Sequence, residues 1–341
     1  MGYMADSLIL SERQLAILQA VVEEYVSTAL PVSSAMIAEL PGIKASSATV
    51  RNELGSLEEL GLLLQPYTSA GRIPTDLGYR YYVDHLMTIY HRQRPTTQQL
   101  PTMQDPGVAS TCKLLGDLTK YTALALVPGW QQHRLEHIEL AAVGDDQLLV
   151  MLVTDNRQVM HSLSTVHDRP TPARLRQLND LLNQEFSGRL LAQMSDEALA
   201  AAVSRLPHVS TGEFYRHTPE MVRRGLPGDG GTRFYVEGTD HIFEQQDFAE
   251  MPKLRSLMEA LHEESVFTEL FARGNAGEIQ VSIGAENPHA GLEDCAIVFT
   301  TMQISPDSTG RVGILGPRRM TYRKVISTLD SVVRHLEKRG E

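Results

Sequence analysis

Residues 43–83, IKASSATVRNELGSLEELGLLLQPYTSAGRIPTDLGYRYYV, carry the pattern that decides the fold. Val50, Leu54, Leu57 and Leu60 recur at helical spacing, and Gly61 stands just past the last of them, where a left-handed residue commonly ends a helix. A helix is therefore predicted over Ser47–Leu60, opened by the small polar residues Ser46 and Ser47. Leu62–Gln65 reads as a strand, Pro66–Gly71 as a loop, and Arg72-Ile73-Pro74 as the start of the return, which puts Arg72 at the tip of a hairpin. Upstream, Ser11 caps a first helix in which Leu15, Leu18, Val22, Tyr25 and Val26 share a face, and Pro31 stops it. Ser33 or Ser34 opens a short second helix through Leu40, and Pro41-Gly42 marks a turn. Downstream, Asp76–Tyr90 is aromatic and helical in pattern. Helix, short helix, turn, helix and basic hairpin make the order of a winged helix-turn-helix, assigned to residues 1–90.

Such a fold reads DNA by burying one face of its third helix and presenting the start of the other face to the major groove. With Val50, Leu54 and Leu57 taken by the core, Ser46, Ser47, Thr49, Arg51 and Asn52 are left to point outward. Arg grips guanine O6 and N7 and Asn pairs with adenine N6 and N7, each good pair discriminating by roughly 1–3 kcal/mol. Ser and Thr hydroxyls, together with unpaired N–H groups at a helix start, suit phosphate. Lys44, Ser69, Arg72, Thr75 and Arg80 complete the expected DNA-binding set, Arg72 reaching from the wing toward a minor groove or phosphate. Two plainer readings stand beside this one: a Ser-capped amphipathic helix whose Arg51 pairs with Glu58 or solvent, and a solvated loop holding Arg72.

The chain has 341 residues, 42% hydrophobic and 21% charged, a composition for two or three globular domains. Its net charge of −11 argues against indiscriminate coating of nucleic acid. Residues 1–90 hold five cations (Arg13, Lys44, Arg51, Arg72, Arg80) against ten carboxylates, so DNA binding requires segregated charge. Four of the five lie in or beside the third helix and hairpin, while Glu12, Glu23, Glu24 and Glu39 sit on the preceding helices. The longest apolar runs, near Tyr121–Pro128 and Ala296–Thr300, are short enough to be buried strands and too short to span a bilayer. Asp6 and Glu12 precede any apolar stretch, which argues against a secretory signal, and two distant cysteines, Cys112 and Cys295, suit a reducing compartment. A cytoplasmic location is expected.

Residues 91–109 are polar and Pro-rich and read as a linker. Beyond it come a helix from Ser110, strands at His137–Val143, Gln147–Thr154 and Gln158–Leu163, then helices at Ala173–Phe186 and Asp196–Ser204. Gly225–Gly231 reads as a flexible loop. A helix at Lys253–Glu264, three strands (Glu278–Gly284, Ala296–Met302, Arg311–Leu315) and a last helix over Tyr322–Lys338 close the chain. Strands flanking a helical middle indicate an α+β domain carrying an insertion.

The stretches Ala45–Leu54, Leu57–Gly61, Gln65–Thr75 and Gly78–Val83 closely resemble the family of bacterial heat-inducible transcription repressors called HrcA. The resemblance extends to Phe234–Gly238, Lys253–Leu257, Ile283-Gly284-Ala285-Glu286-Asn287 and Gly313–Tyr322, with Ala285-Glu286 standing where that family more often has a second Glu. It implies a winged helix, then a GAF-like α/β domain over 110–168 and 246–341, with an inserted dimerisation domain at 169–245. It also implies repression of chaperone operons by a homodimer on an inverted-repeat operator named CIRCE, modulated by the GroEL chaperonin.

No cofactor is expected. His133 and His137 stand four apart without further ligands at metal-binding spacing. Gly225–Gly231 lacks the Lys-Ser/Thr of a phosphate loop. Gly313–Arg319 reads as a tight turn with Arg318 and Arg319 paired to acidic neighbours. No nucleophile–base–acid arrangement stands out, so an enzyme with an accessory DNA-binding domain is the weaker rival. A regulator controlled by a small ligand in the GAF-like domain is the nearer alternative.

Overall fold

A computed structural model describes residues 8–92 and 107–340, apart from 145, 156, 167–169, 207–212, 227–231, 276 and 306–307. The first element, α1 (Glu12–Thr28), starts where the sequence places it: Ser11 Oγ accepts the Gln14 N–H at 3.2 Å while Gln14 Oε1 accepts the Ser11 N–H at 3.0 Å, a reciprocal cap. Ser33 caps α2 (Ser34–Glu39) and Ser46 caps α3 (Ser47–Glu59) through the hydroxyl alone, accepting the Met36 and Thr49 N–H groups. Val50, Leu54 and Leu57 of α3 are buried, together with Ile17, Leu18, Val21 and Val22 of α1 and Ile37 of α2. Leu60 falls in the cap that ends α3 and is exposed, unlike the other apolar residues of the predicted face. Gly61 follows with φ of +73°, the left-handed geometry expected of it.

The wing strands β1 (Leu63–Leu64) and β2 (Ile73–Pro74) pair antiparallel, Leu63 opposite Pro74 and Leu64 opposite Ile73. Val32 bridges to Arg72 through both backbone bonds, at 2.9 and 2.8 Å. Gly71 permits that approach, because a Cβ there would meet the Val32 carbonyl oxygen at 2.3 Å. Helix α4 (Asp76–Arg92) closes the winged helix with Tyr79, Tyr82, Val83, Leu86 and Tyr90 buried.

The chain divides into two compact units. The first comprises residues 1–125, 234–302 and 311–341, so it unites the winged helix with the last third of the chain. Beyond the winged helix come α5 (Val108–Thr119), β3 (Thr122–Val127), β7 (Arg233–Glu237) and α9 (Asp240–Glu244). Helices α10 (Met251–His262) and α11 (Glu264–Ala272) precede β8 (Gln280–Ile283), β9 (Cys295–Ser305), β10 (Ser308–Pro317) and α12 (Tyr322–Gly340). The five strands form one sheet in the order β7-β3-β10-β9-β8. Helix α12 packs on α5 and buries Val325, Ile326, Leu329 and Val332. Phe267 and Phe271 of α11 lie against Phe234 of β7 and Phe299 of β9, with ring centroids 4.8 and 5.0 Å apart.

The second unit, residues 126–233 with 303–310, has its own three-stranded antiparallel sheet, β4 (Leu135–Val143), β5 (Gln147–Thr154) and β6 (Val159–Thr165). One face, with Ile138, Leu140, Leu148, Val150, Leu152 and Met160, forms a core with α6 (Pro172–Phe186), α7 (Asp196–Val203) and α8 (Glu213–Gly225). The free edge of β4 is covered by two amides of α6: Asn183 bonds the Ile138 N–H and carbonyl at 3.0 and 2.7 Å, and Asn179 bonds those of Leu140 at 2.9 and 3.1 Å.

Strands β4, β5 and β6, expected to belong with the GAF-like part over 110–168, pair with one another among the described residues and fall in the compact unit of residues 126–233 and 303–310. The predicted linker 91–109 is entered by α4 through Arg92 and by α5 from Val108; its centre lies outside the described residues, as does most of the loop expected at Gly225–Gly231. Helices α8 and α11 and strand β7 were not anticipated.

Candidate nucleic-acid interface

The start of α3 presents a polar surface. Lys44, Ser46, Ala48, Arg51 and Asn52 are exposed, and Ser47 and Thr49 are half-buried. Ser46 Oγ accepts the Thr49 N–H at 3.2 Å and lies 2.9 Å from Thr49 Oγ1, so two hydroxyls expected at the interface also build the cap. Ser47 Oγ stands 3.2 Å from Ser34 Oγ, tying the start of α3 to that of α2. Among the described residues, no ion pair or side-chain hydrogen bond occupies Lys44, Arg51 or Asn52. Two carboxylates of α3 are engaged by other cations: Glu53 by Arg13 at 3.6 Å and Glu58 by Arg72 at 2.8 Å. Lys44 and Arg51 thus stand at the start of α3, where the helix dipole also favours an anion.

The wing differs from expectation. Its tip is Pro66–Ala70, where Tyr67 is 63% exposed and Thr68 and Ser69 are also open. Gln65 shapes this loop by donating through Nε2 to the carbonyls of Thr68 and Ala70, each at 3.0 Å. Arg72 stands at the base of the hairpin, where its backbone is bound to Val32. Its guanidinium donates through Nε to Glu58 Oε2 at 2.9 Å, so the side chain lies back along the end of α3. The plainer reading offered Glu58 or solvent to Arg51; the strand geometry brings the wing cation Arg72 to Glu58 instead.

Two further candidates are accounted for within the protein. Thr75 Oγ1 donates to the Gly61 carbonyl at 2.6 Å and accepts the Gly78 N–H at 3.1 Å, which makes it the joint between wing and α4. Arg80 is turned away from α3: Nε donates to Glu286 Oε1 at 2.8 Å and Nη2 to the Val281 carbonyl at 2.6 Å. Burial works against its charge, yet the hydrogen bond and charge of Glu286 outweigh that and leave its pKa raised. Lys44, Ser46, Ser47, Thr49, Arg51 and Asn52 thus cluster in or just before the first turns of α3 and Ser69 lies on the wing tip, while Arg72, Thr75 and Arg80 are bonded within the protein. Ala48, Gln65 and Tyr67 were not anticipated; only the Gln65-Pro66 step, at a strand end, hinted at a wing-shaping role.

Of the histidines weighed as metal ligands, His133 is buried beside Asp155 at 3.5 Å and His137 is open beside Glu139 at 3.3 Å. Among the described residues no group of three or more His, Cys, Asp or Glu is placed to hold a metal ion. Arg318 and Arg319 are paired, with Asp76 and Asp294 and with Asp247, as expected, but Gly313–Pro317, expected as part of a tight turn, belongs to strand β10, and the turn is confined to residues 318–319.

A capped third helix with an open polar start, a short second helix packed on it and a hairpin behind it define a winged-helix DNA-binding transcription regulator. Comparison with known proteins agrees. Residues 9–85 match the family model described as the winged helix-turn-helix transcription repressor HrcA DNA-binding domain, and residues 107–326 match that of the HrcA protein C-terminal domain. The heat-inducible transcription repressor HrcA of Shouchella clausii is 34% identical over 97% of this chain and 98% of its own length. That of Symbiobacterium thermophilum is 35% identical over 96% of this chain and 98% of its own. A crystal structure of a hypothetical protein covers 97% of this chain and 99% of its own, with a TM-score of 0.70 at 23% identity, which bears on the fold alone. The chain belongs to the HrcA family.

Proposed function

We propose that this protein represses heat-shock chaperone operons by binding an inverted-repeat operator of the CIRCE type as a homodimer in the cytoplasm, with the GroEL chaperonin adjusting how much of it is competent to bind. The observation that carries the DNA reading is the head of α3, where Lys44, Arg51 and Asn52 stand exposed and uncommitted around a capped helix start. Arg51 and Asn52 are the candidates for base readout, and Lys44, Ser46, Ser47 and Thr49 for phosphate. Ser69 and the wing tip add a contact beyond the groove.

A second copy of the chain is the occupant that best suits the open face of the β4-β5-β6 sheet. Opposite its packed core, the register places Val153 beside Val159 and Leu149 beside Leu163, and Val143, Val159 and Leu163 are 42%, 56% and 58% exposed. Apolar side chains aligned on one sheet face mark an interaction surface. Joined copies would put two recognition helices on two half-sites, so operator symmetry follows protein symmetry. No helix among the described residues is long and apolar enough to cross a membrane.

The test is an electrophoretic titration of the full chain against an inverted-repeat operator and a scrambled duplex, with and without GroEL and over a temperature series. The expected result is operator-selective binding that GroEL strengthens and that heating reverses. Equal binding to both duplexes removes the repressor reading, and indifference to GroEL removes the chaperonin from it.

A further inference from the structure

Two stretches that carry the family resemblance, Ile283–Asn287 and Gly313–Tyr322, have no part in the DNA surface, yet both close on α4. Asp76, in the first turn of that helix, accepts the Ala285 N–H at 3.2 Å through Oδ2 and the Arg318 guanidinium at 2.9 Å through Oδ1. Arg318 holds Asp294 at 2.8 Å with its other amino group. Gly284, with φ of +55°, allows this seat, because a Cβ there would lie 2.1 Å from the Asp76 carboxylate. One turn along, Arg80 holds Glu286 with two nitrogens, and Glu286 Oε2 also accepts the Ile283 N–H at 2.9 Å. The side chains of Arg80 and Glu286 are each only 16% exposed. Tyr79 and Tyr82 lie 6.1 and 6.4 Å from the ring of Tyr322, and Tyr90 donates to Asp330 at 2.6 Å near the end of the helix.

A buried ion pair adds little net stability over an apolar contact, but losing one partner strands a charge, so such a pair favours one geometry strongly over its neighbours. Of the three levels at which α4 is held, only Arg80–Glu286 is a largely covered ion pair; Asp76–Arg318 is a partly exposed one, and the contacts to α12 are aromatic packing and the Tyr90–Asp330 hydrogen bond. The wing and α3 are in turn fixed to α4 through Thr75 and Gly78.

We propose that Asp76 and Arg80, with Glu286 and Arg318, form a polar lock that sets the direction in which α3 is presented, so that restriction to one half-site spacing originates at α4. The inference rests on the dimeric-operator reading. Asp76 and Arg80 act as positioning residues and leave the chemistry of base contact to α3.

The test uses the full chain carrying Glu286→Gln or the milder Asp76→Asn, with two measurements. The first is amide hydrogen exchange over 76–92. The second is binding to a single half-site, to the inverted repeat, and to the same repeat lengthened by about five base pairs, half a helical turn. The expected result is exchange in α4 faster by about tenfold or more, with single half-site affinity within about twofold of the parent. The preference for the native spacing should fall by about tenfold. Faster exchange with an unchanged spacing preference overturns the inference, and so does unchanged exchange in both variants. If the parent binds neither repeat, the dimeric-operator reading fails, and unchanged exchange in α4 separately removes the lock. If Glu286→Gln does not fold, the exchanged pair Arg80→Glu with Glu286→Arg decides: recovery of fold and spacing preference supports the lock, and recovery of fold alone overturns it.

Discussion

Helices α3 and α4 are two amphipathic helices of one winged helix, each with arginine on its polar side, and they use that arginine oppositely. On α3, Arg51 projects from an exposed helix start, and Glu53 and Glu58 are engaged by other cations. On α4, Arg80 is half-buried in a bidentate pair with Glu286, and Asp76 holds Arg318. The difference lies in what surrounds the two positions. The head of α3 faces solvent because only Val50, Leu54 and Leu57 are drawn into the core, whereas Asp76, Tyr79, Arg80, Tyr82 and Tyr90 of α4 meet loop 283–287, Arg318 and α12. A cation available to a ligand is one the rest of the chain has left unpaired, and within this acidic protein few around the winged helix qualify.

The largest effect should come from removing what the two helices depend on in common. Leu57 is fully buried where α3 meets the rest of the winged helix, so Leu57→Ala should lower unfolding stability by about 2–5 kcal/mol. Denaturant unfolding followed by circular dichroism measures this, and a loss below about 1 kcal/mol would mean the site collapses around the truncation. On the α4 side, burial first and the Glu23 carboxylate second push the Tyr82 phenol up to about 12. The protonated form is favoured in the fold, so this contribution is complete below pH about 10 and is lost as pH rises through about 12. It amounts to about 3 kcal/mol at most. Tyr82→Phe should therefore flatten the alkaline fall in stability, and an unchanged pH profile would place the titration at other groups.

Arg51→Ala sharpens the comparison from the α3 side. It should cost about 1–3 kcal/mol in operator binding while sparing binding to unrelated duplex. Equal losses on both duplexes would assign Arg51 to phosphate instead of a base edge.

Much of the winged helix was legible because its signals are local. Ser11, Ser33 and Ser46 announce their helices by cap chemistry within three residues, and Gly61 by its place after an apolar repeat. What was lost depends on partners distant in sequence. Arg80 reads as a DNA-facing cation until Glu286, 206 positions away, is seen against it. Strands β4, β5 and β6 look like further strands of the large sheet, because nothing in their alternation says which strands they pair with. Helix α8 was missed because Pro219 lies inside it and reads as a breaker, although Phe214, Tyr215, Met221 and Val222 anchor it in the core of the second unit.

The smallest effect tests the correction to the wing. Arg72 was expected at the hairpin tip, where its loss would lower operator affinity and the steepness of its salt dependence. In the structure its backbone is bound to Val32 at the base of the hairpin, and its guanidinium, 20% exposed, is held by Glu58. A partly exposed pair of this kind is worth about 1 kcal/mol or less, and DNA would have to outbid it. Arg72→Ala should thus change operator affinity by no more than about 0.5 kcal/mol and leave the salt slope as it was. Glu58→Gln should do more than the arginine deletion, since it releases a cation beside the duplex and should steepen the slope by about one counterion. If instead Arg72→Ala flattens the slope by that amount, Glu58 yields its partner on binding, and Arg72 belongs with Arg51 among the residues that meet DNA.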